Sequence, residues 1–157
     1  MKRRRFVLFS AIAAAAFALA TQDAGAQTAK DLVGTWIIVS APPIGPSAKG
    51  ILMFDANGRF SQVLMRGDLP KYAANDRTKG TAEENKATAQ GTLAMFGTYS
   101  VSGTDLIRHI EASSYPNWTG TDQKLSNLTV SGDELKWTNP APSSGGSPVL
   151  VVWKRAR

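Results

Sequence analysis

The 157-residue chain has no cysteine and a single histidine, His109, and each shortage removes a class of function. Without cysteine there is no disulfide, thiol nucleophile, Cys-ligated metal or redox pair. One imidazole cannot build a multi-histidine metal centre, so neither a metal nor a cofactor is expected. Missing too are a Gly-x-Ser-x-Gly nucleophile elbow, a phosphate-cradling glycine loop and a dinucleotide fingerprint. No run of Lys and Arg is interleaved with aromatics, so nucleic acid is not an expected partner.

What is present starts with a processing signal. Lys2, Arg3, Arg4 and Arg5 form a basic n-region, Phe6 to Ala20 an apolar run, and Ala24-Gly25-Ala26 a small-x-small cleavage site. The apolar run is alanine-rich and shorter than the roughly 20 residues that span a bilayer as a helix. Residues 1–26 therefore read as a signal peptide cleaved near Ala26, giving a periplasmic or secreted protein with no stable membrane anchor. Arg3-Arg4-Arg5-Phe6-Val7 also fits a twin-arginine signal, but any basic n-region can hold adjacent arginines, and the general secretory route is preferred. The signal takes four of the 18 basic residues and one of the 12 acidic ones, so the whole-chain charge of +6 shrinks to 14 against 11.

The remainder, 27–157, is one domain by length. Short apolar runs separated by turn chemistry recur along it, the pattern of an all-β barrel or sandwich. Strands are expected at Trp36 to Ser40, Gly50 to Phe54, Arg59 to Met65, Met95 to Val101, Asp105 to Ser113, Gln123 to Val130, Glu134 to Trp137 and Val149 to Lys154. Asp55-Ala56-Asn57-Gly58 supplies the positive φ of a tight hairpin between the second and third. Between Arg66 and Leu93 the alternation stops. There Thr81-Ala82-Glu83-Glu84 is a capping box that opens a short helix from Ala82 to about Gln90, lying over a barrel opening or flank as a lid, plug or crossover. The Pro-, Ser- and Gly-rich stretch from Asn139 to Pro148 reads as a rim loop. About eight strands make a barrel able to hold one small ligand.

The chain resembles the bacterial lipocalin-like domain family. The resemblance is carried by Leu32-Val33-Gly34-Thr35-Trp36, by Gly45-Pro46 with Gly50-Ile51-Leu52, and by Asn57-Gly58-Arg59 leading to Leu64-Met65-Arg66. It continues through Phe96-Gly97-Thr98-Tyr99, His109-x-Glu111, Pro116-Asn117-Trp118 with Gly120, and Trp153-Lys154-Arg155. It implies an antiparallel barrel of about eight strands with a central cavity and one short helix. It further implies that Gly34 and Trp36 close the narrow end, with the indole under an arginine near the chain terminus, here Arg155. One departure is visible. The family's strand motif tends to carry paired histidines before the glutamate, whereas here Arg108 precedes His109, which puts in doubt any function that needs two imidazoles.

Side chains alternate along a strand, so Ile107, His109, Glu111 and Ser113 share one face and Leu106, Arg108, Ile110 and Ala112 the other. Because burying an unpaired guanidinium is costly, His109 and Glu111 are expected inside, as a pair that hydrogen-bonds a ligand, acts as acid and base, or merely supports the core. Tyr99 shares an apolar row with Met95, Gly97 and Val101; its hydroxyl either orients a ligand or is satisfied by backbone. Arg66 follows Phe60, Gln62 and Leu64 at period two and pairs either with a ligand carboxylate or with Asp68. Tyr115 and Trp118 flank a strand connection and either meet an entering ligand or cover the core.

The leading expectation is an exported protein that binds a small, mainly apolar or amphipathic molecule in the barrel. Its ligand-binding set is His109, Glu111, Tyr99, Arg66, Tyr115 and Trp118. The alternatives are a cofactor-free isomerase, cyclase or hydrolase using His109 with Glu111, and a filled barrel acting as a protein-interaction module.

Overall fold

A computed structural model describes residues 27–45 and 47–157. The signal-peptide reading of residues 1–26, and Pro46, lie outside the described residues. A four-residue helix, α1 (Ala29–Leu32), precedes the strands β1 (Gly34–Ser40), β2 (Lys49–Phe54) and β3 (Arg59–Met65). After a long connection come α2 (Ala82–Gly91), β4 (Thr92–Ser102) and β5 (Asp105–Ser113). The chain ends with β6 (Thr121–Ser131), β7 (Glu134–Asn139) and β8 (Val149–Arg155). Each strand pairs antiparallel with the next, and β1 pairs with β8, so the sheet closes as an eight-stranded barrel.

Local chemistry sets the boundaries. At the β2–β3 hairpin the Asp55 carboxylate accepts from the backbone N–H groups of Asn57 and Arg59, both at 2.8 Å. Gly58 takes the φ of +80° that turns the chain. Helix α2 starts on the expected capping box: the Thr81 hydroxyl accepts from the Glu84 N–H at 3.2 Å, and the Glu84 carboxylate accepts from the Thr81 N–H at 2.8 Å. Helix α1 carries the same signal in Thr28-Ala29-Lys30-Asp31, where the Asp31 carboxylate accepts from the Thr28 N–H at 2.7 Å. The pairing shifts register at three places: between Ile38 and Ser40 where β1 meets β8, between Phe96 and Gly97 where β4 meets β5, and between Ser126 and Thr129 where β6 meets β7, with Asn127 at φ +55°.

Up-and-down connectivity puts the β2–β3, β4–β5 and β6–β7 hairpins at one end. The longer connections 41–48, 66–91, 114–120 and 140–148 lie at the other. The hairpin end is sealed. Trp36 is fully buried and its indole N–H donates to the Leu32 carbonyl at 2.8 Å. The Arg155 guanidinium lies 4.1 Å from the Trp36 ring centroid and donates to the carbonyls of Val33 and Asp31. Gly34, at φ +131°, leaves room for that guanidinium, since a Cβ there would lie 2.8 Å from Arg155 Nη1. Above this plug Leu52, Leu106, Ile110, Leu125, Leu135, Trp137 and Trp153 fill the interior.

One expectation is reversed. On β5 it is Leu106, Arg108 and Ile110 that point inward, and His109 and Glu111 that face solvent, with side chains 51% and 36% exposed. A strand's faces move together, and burying Leu106 and Ile110 carries Arg108 in with them. The cost of burying the guanidinium is reduced by neutral acceptors on facing strands: Gln62 Oε1 at 2.8 Å and Gln123 Oε1 at 2.6 Å. Outside, His109 Nδ1 lies 2.8 Å from the Asp122 carboxylate, and Glu111 accepts from Arg59 at 2.8 Å.

Candidate functional site

The long connections surround a chamber that enters the barrel from its open end. Its rim comes from Ala41, Pro43 and Ile44 after β1 and from Pro142 and Ser143 before β8. Its wall is Leu64 on β3, Leu93 and Met95 on β4, Trp118 from the β5–β6 connection, and Val149 and Val151 on β8. Gln62, Arg108 and Trp137 form the polar and aromatic part of the lining. The chamber is small, about 40 Å³. It shares Pro43, Ile44, Leu93 and Ser143 with an outer vestibule of about 540 Å³. Arg66, Ala89, Gln90, Thr92, Ser114, Tyr115 and Ser144 complete the vestibule. Helix α2 thus contributes its last turn to the mouth and stands beside the entrance.

The sequence-predicted residues divide between the two ends and the outside. Trp118 reaches the chamber and Tyr115 the vestibule; both are half-buried, and their rings meet edge to face with centroids 5.4 Å apart. This contact makes the β5–β6 connection a packed aromatic corner of the mouth. Arg66 stands in the vestibule wall, held by a two-pronged ion pair to Asp68 at 2.8 and 2.9 Å. That pair raises the arginine's pKa and lowers the aspartate's, chiefly through the side-chain hydrogen bond. Tyr99 lies in the sealed half. Its hydroxyl donates to the Asp55 carbonyl at 2.8 Å, with the Ala29 carbonyl at 3.3 Å, and its ring meets Phe54 at 4.6 Å. Burial, and then the charge of Asp55, raise its pKa. The backbone-satisfied alternative for Tyr99 is the arrangement present. His109 and Glu111 touch neither chamber nor vestibule, and Arg59 holds the Glu111 carboxyl below its usual range.

Four residues unassigned by the sequence reading complete the site: Arg108, Gln62, Gln123 and Trp137. Arg108 is buried, with 2% of the residue exposed, and its Cζ lies 5.1 Å from the Phe60 ring centroid and 5.7 Å from that of Trp137. Its Nε–H finds no acceptor among the described residues. Among the described residues no carboxylate pairs with it, and burial pushes its pKa down to about 9. It therefore remains a cation at neutral pH. The signal for this site was in β5 itself, where Leu106 and Ile110 flank Arg108 on one face while the other carries His109 and Glu111.

Residues 33–156 match the family model of the lipocalin-like domain. The chain is also similar to the 4'-hydroxy-3'-methoxypropiophenone carrier protein of Aspergillus oryzae, at 33% identity over 107 residues, covering 61% of this chain and 96% of that protein.

Proposed function

The chain belongs to the lipocalin-like domain family, and we propose that it is an exported carrier of a small, mainly apolar molecule held in the chamber and vestibule at the open end of the barrel. The observation that carries this reading is the apolar chamber that opens through an aromatic-flanked vestibule in an otherwise filled barrel. Apolar lining supplies affinity, and a few polar groups fix orientation. The printed name of the Aspergillus oryzae relative makes it a carrier of an aryl ketone bearing hydroxyl and methoxy groups. That supports an oxygen-substituted aromatic compound as the class carried here. Pro43, Ile44 and Leu93, common to vestibule and chamber, offer apolar contact to such a ring, Tyr115 flanks its way in, and Met95, Trp118 and Trp137 line the chamber its leading end would reach. Catalysis through His109 and Glu111 loses its support, because both side chains stand outside the barrel.

The test is native mass spectrometry of the protein purified from its own host, followed by organic extraction and identification of what is released. A stoichiometric small molecule on a chain beginning at Gln27 is the expected result for both carriage and export. A bare protein mass, with no thermal stabilisation across a panel of lipids and aromatic metabolites, would overturn the carrier reading in favour of a filled barrel that engages a protein partner. A mass retaining residues 1–26 would overturn the cleaved-signal reading alone.

A further inference from the structure

Arg108 is a buried cation to which no described residue supplies a counter-charge, and it lines the inner chamber where a ligand's leading group would arrive. Removing a guanidinium from water is costly unless it is paired, and here only two glutamine oxygens and two aromatic faces answer it. Gln62 is also buried and holds one Nη of the fork, while Gln123 holds the other, so the group is oriented without being neutralised. The Nε–H finds no acceptor among the described residues. A core that needed only volume and apolar surface at this position would take a leucine or methionine.

We propose that Arg108 is the anchor for an acidic oxygen, so that the carried molecule is an organic anion, a carboxylate or an acidic phenol, which enters charged end first. The inference rests on the carrier reading and deepens it. Size agrees with this orientation. The chamber reached by Arg108, about 40 Å³, is the narrow inner end of the site and suits a small polar head, whereas the vestibule behind it, about 540 Å³, has room for a ring or a short chain. Charge agrees too. Among the described residues the one other cation that lines either space, Arg66, is already bound on both prongs by Asp68, which leaves Arg108 as the unneutralised charge there. Pairing of the two ions inside an apolar wall is what converts a costly buried group into selectivity: the site binds the anion and rejects its uncharged isostere.

The experiment compares 4-hydroxycinnamate with methyl 4-hydroxycinnamate, and octanoate with methyl octanoate. It titrates each into the purified protein and follows tryptophan fluorescence, which Trp118 and Trp137 make sensitive to the chamber. The expected result is a preference of at least about tenfold for the acid over its ester. In Arg108→Met both forms should bind at the ester's affinity, while the thermal midpoint of the ligand-free protein stays level or rises, because an unpaired buried charge has been removed. Arg108→Lys, which keeps the charge, should keep a preference for the acid even if the methionine variant fails to fold. Equal binding of acid and ester by the unaltered protein would overturn the anion anchor and leave the carrier reading standing. Binding of none of the four would overturn both. Retention of the preference in Arg108→Met together with its loss in Arg66→Gln would also overturn the proposal, by moving the anchor to the rim.

Discussion

Arg108 and His109 are adjacent in sequence and opposite in environment, and the alternation of a strand allows no intermediate arrangement. Which of the two goes inside depends on what the facing strands offer. The acceptors that admit Arg108 are Gln62 and Gln123, 46 and 15 residues away in the chain. A single strand read alone carries the period but not these partners, and for that reason the strand's position was legible and its orientation was not. The consequence for His109 is testable. His109→Ala and Glu111→Gln remove groups whose hydrogen bonds are made to Asp122 and Arg59 on the outer surface. Each variant should bind the acidic probes within about twofold of the unaltered protein in the same fluorescence titration, as surface substitutions do. A loss of affinity beyond tenfold in either would return the outer face of β5 to the site.

At the scale of elements, the clearest local signals were those with their chemistry inside one segment. The Asn57-Gly58 turn and the Thr81–Glu84 capping box each predicted their element within a residue or two, because donor and acceptor lie close in the chain. The placement of α2 at the mouth depends on long-range contacts that no local pattern encodes. Tyr72 donates to the Thr88 hydroxyl at 3.1 Å, and the Glu84 carboxylate accepts from the Ala73 N–H at 2.9 Å as well as from Thr81. Glu84 thus ties the preceding loop to the start of the helix. The Ala73 and Thr81 hydrogen bonds, in that order, hold its pKa below the usual value of 4.5. A carboxyl whose pKa is lower folded than unfolded contributes stability that is present above the unfolded value and is lost as pH falls through the folded one. The connection 66–91 should therefore stay closed at neutral pH and loosen below about pH 4.5. Amide hydrogen exchange at Ala73 and Thr81 would then speed up relative to the barrel strands. Glu84→Gln should show faster exchange at neutral pH and no acid step there. An acid step of unchanged size in that variant would assign the effect to Asp76, whose carboxyl is also held low, first by the Thr78 side chain. Separately, Thr81→Ala removes the helix cap and should cost about 1 kcal/mol of local stability.

For the whole molecule, closure and filling divide the barrel into two halves with different tasks. Pairing of β1 with β8 leaves the sheet no free edge. The Trp36 and Arg155 plug, backed by α1 and Tyr99, makes one end a continuous core. Every long connection is at the other end, and loops that enclose a binding site are drawn from the less stable parts of a fold. A ligand that binds the folded state stabilises the segments that enclose it. Binding should therefore protect the mouth selectively: hydrogen exchange should slow in residues 41–45, 66–91, 114–120 and 140–148, which line or flank the chamber and vestibule. It should stay the same in the hairpins at 55–58, 102–105 and 131–134. The comparison requires only the protein with and without a saturating acidic probe, read by mass spectrometry of peptides. Protection confined to the hairpin end would place the ligand beneath the Trp36 plug and invert the assignment of mouth and base. Uniform slowing, with no bias toward either end, would mean that the ligand shifts global unfolding without ordering the loops, and the mouth would then be a rigid, preformed portal in which α2 does not move.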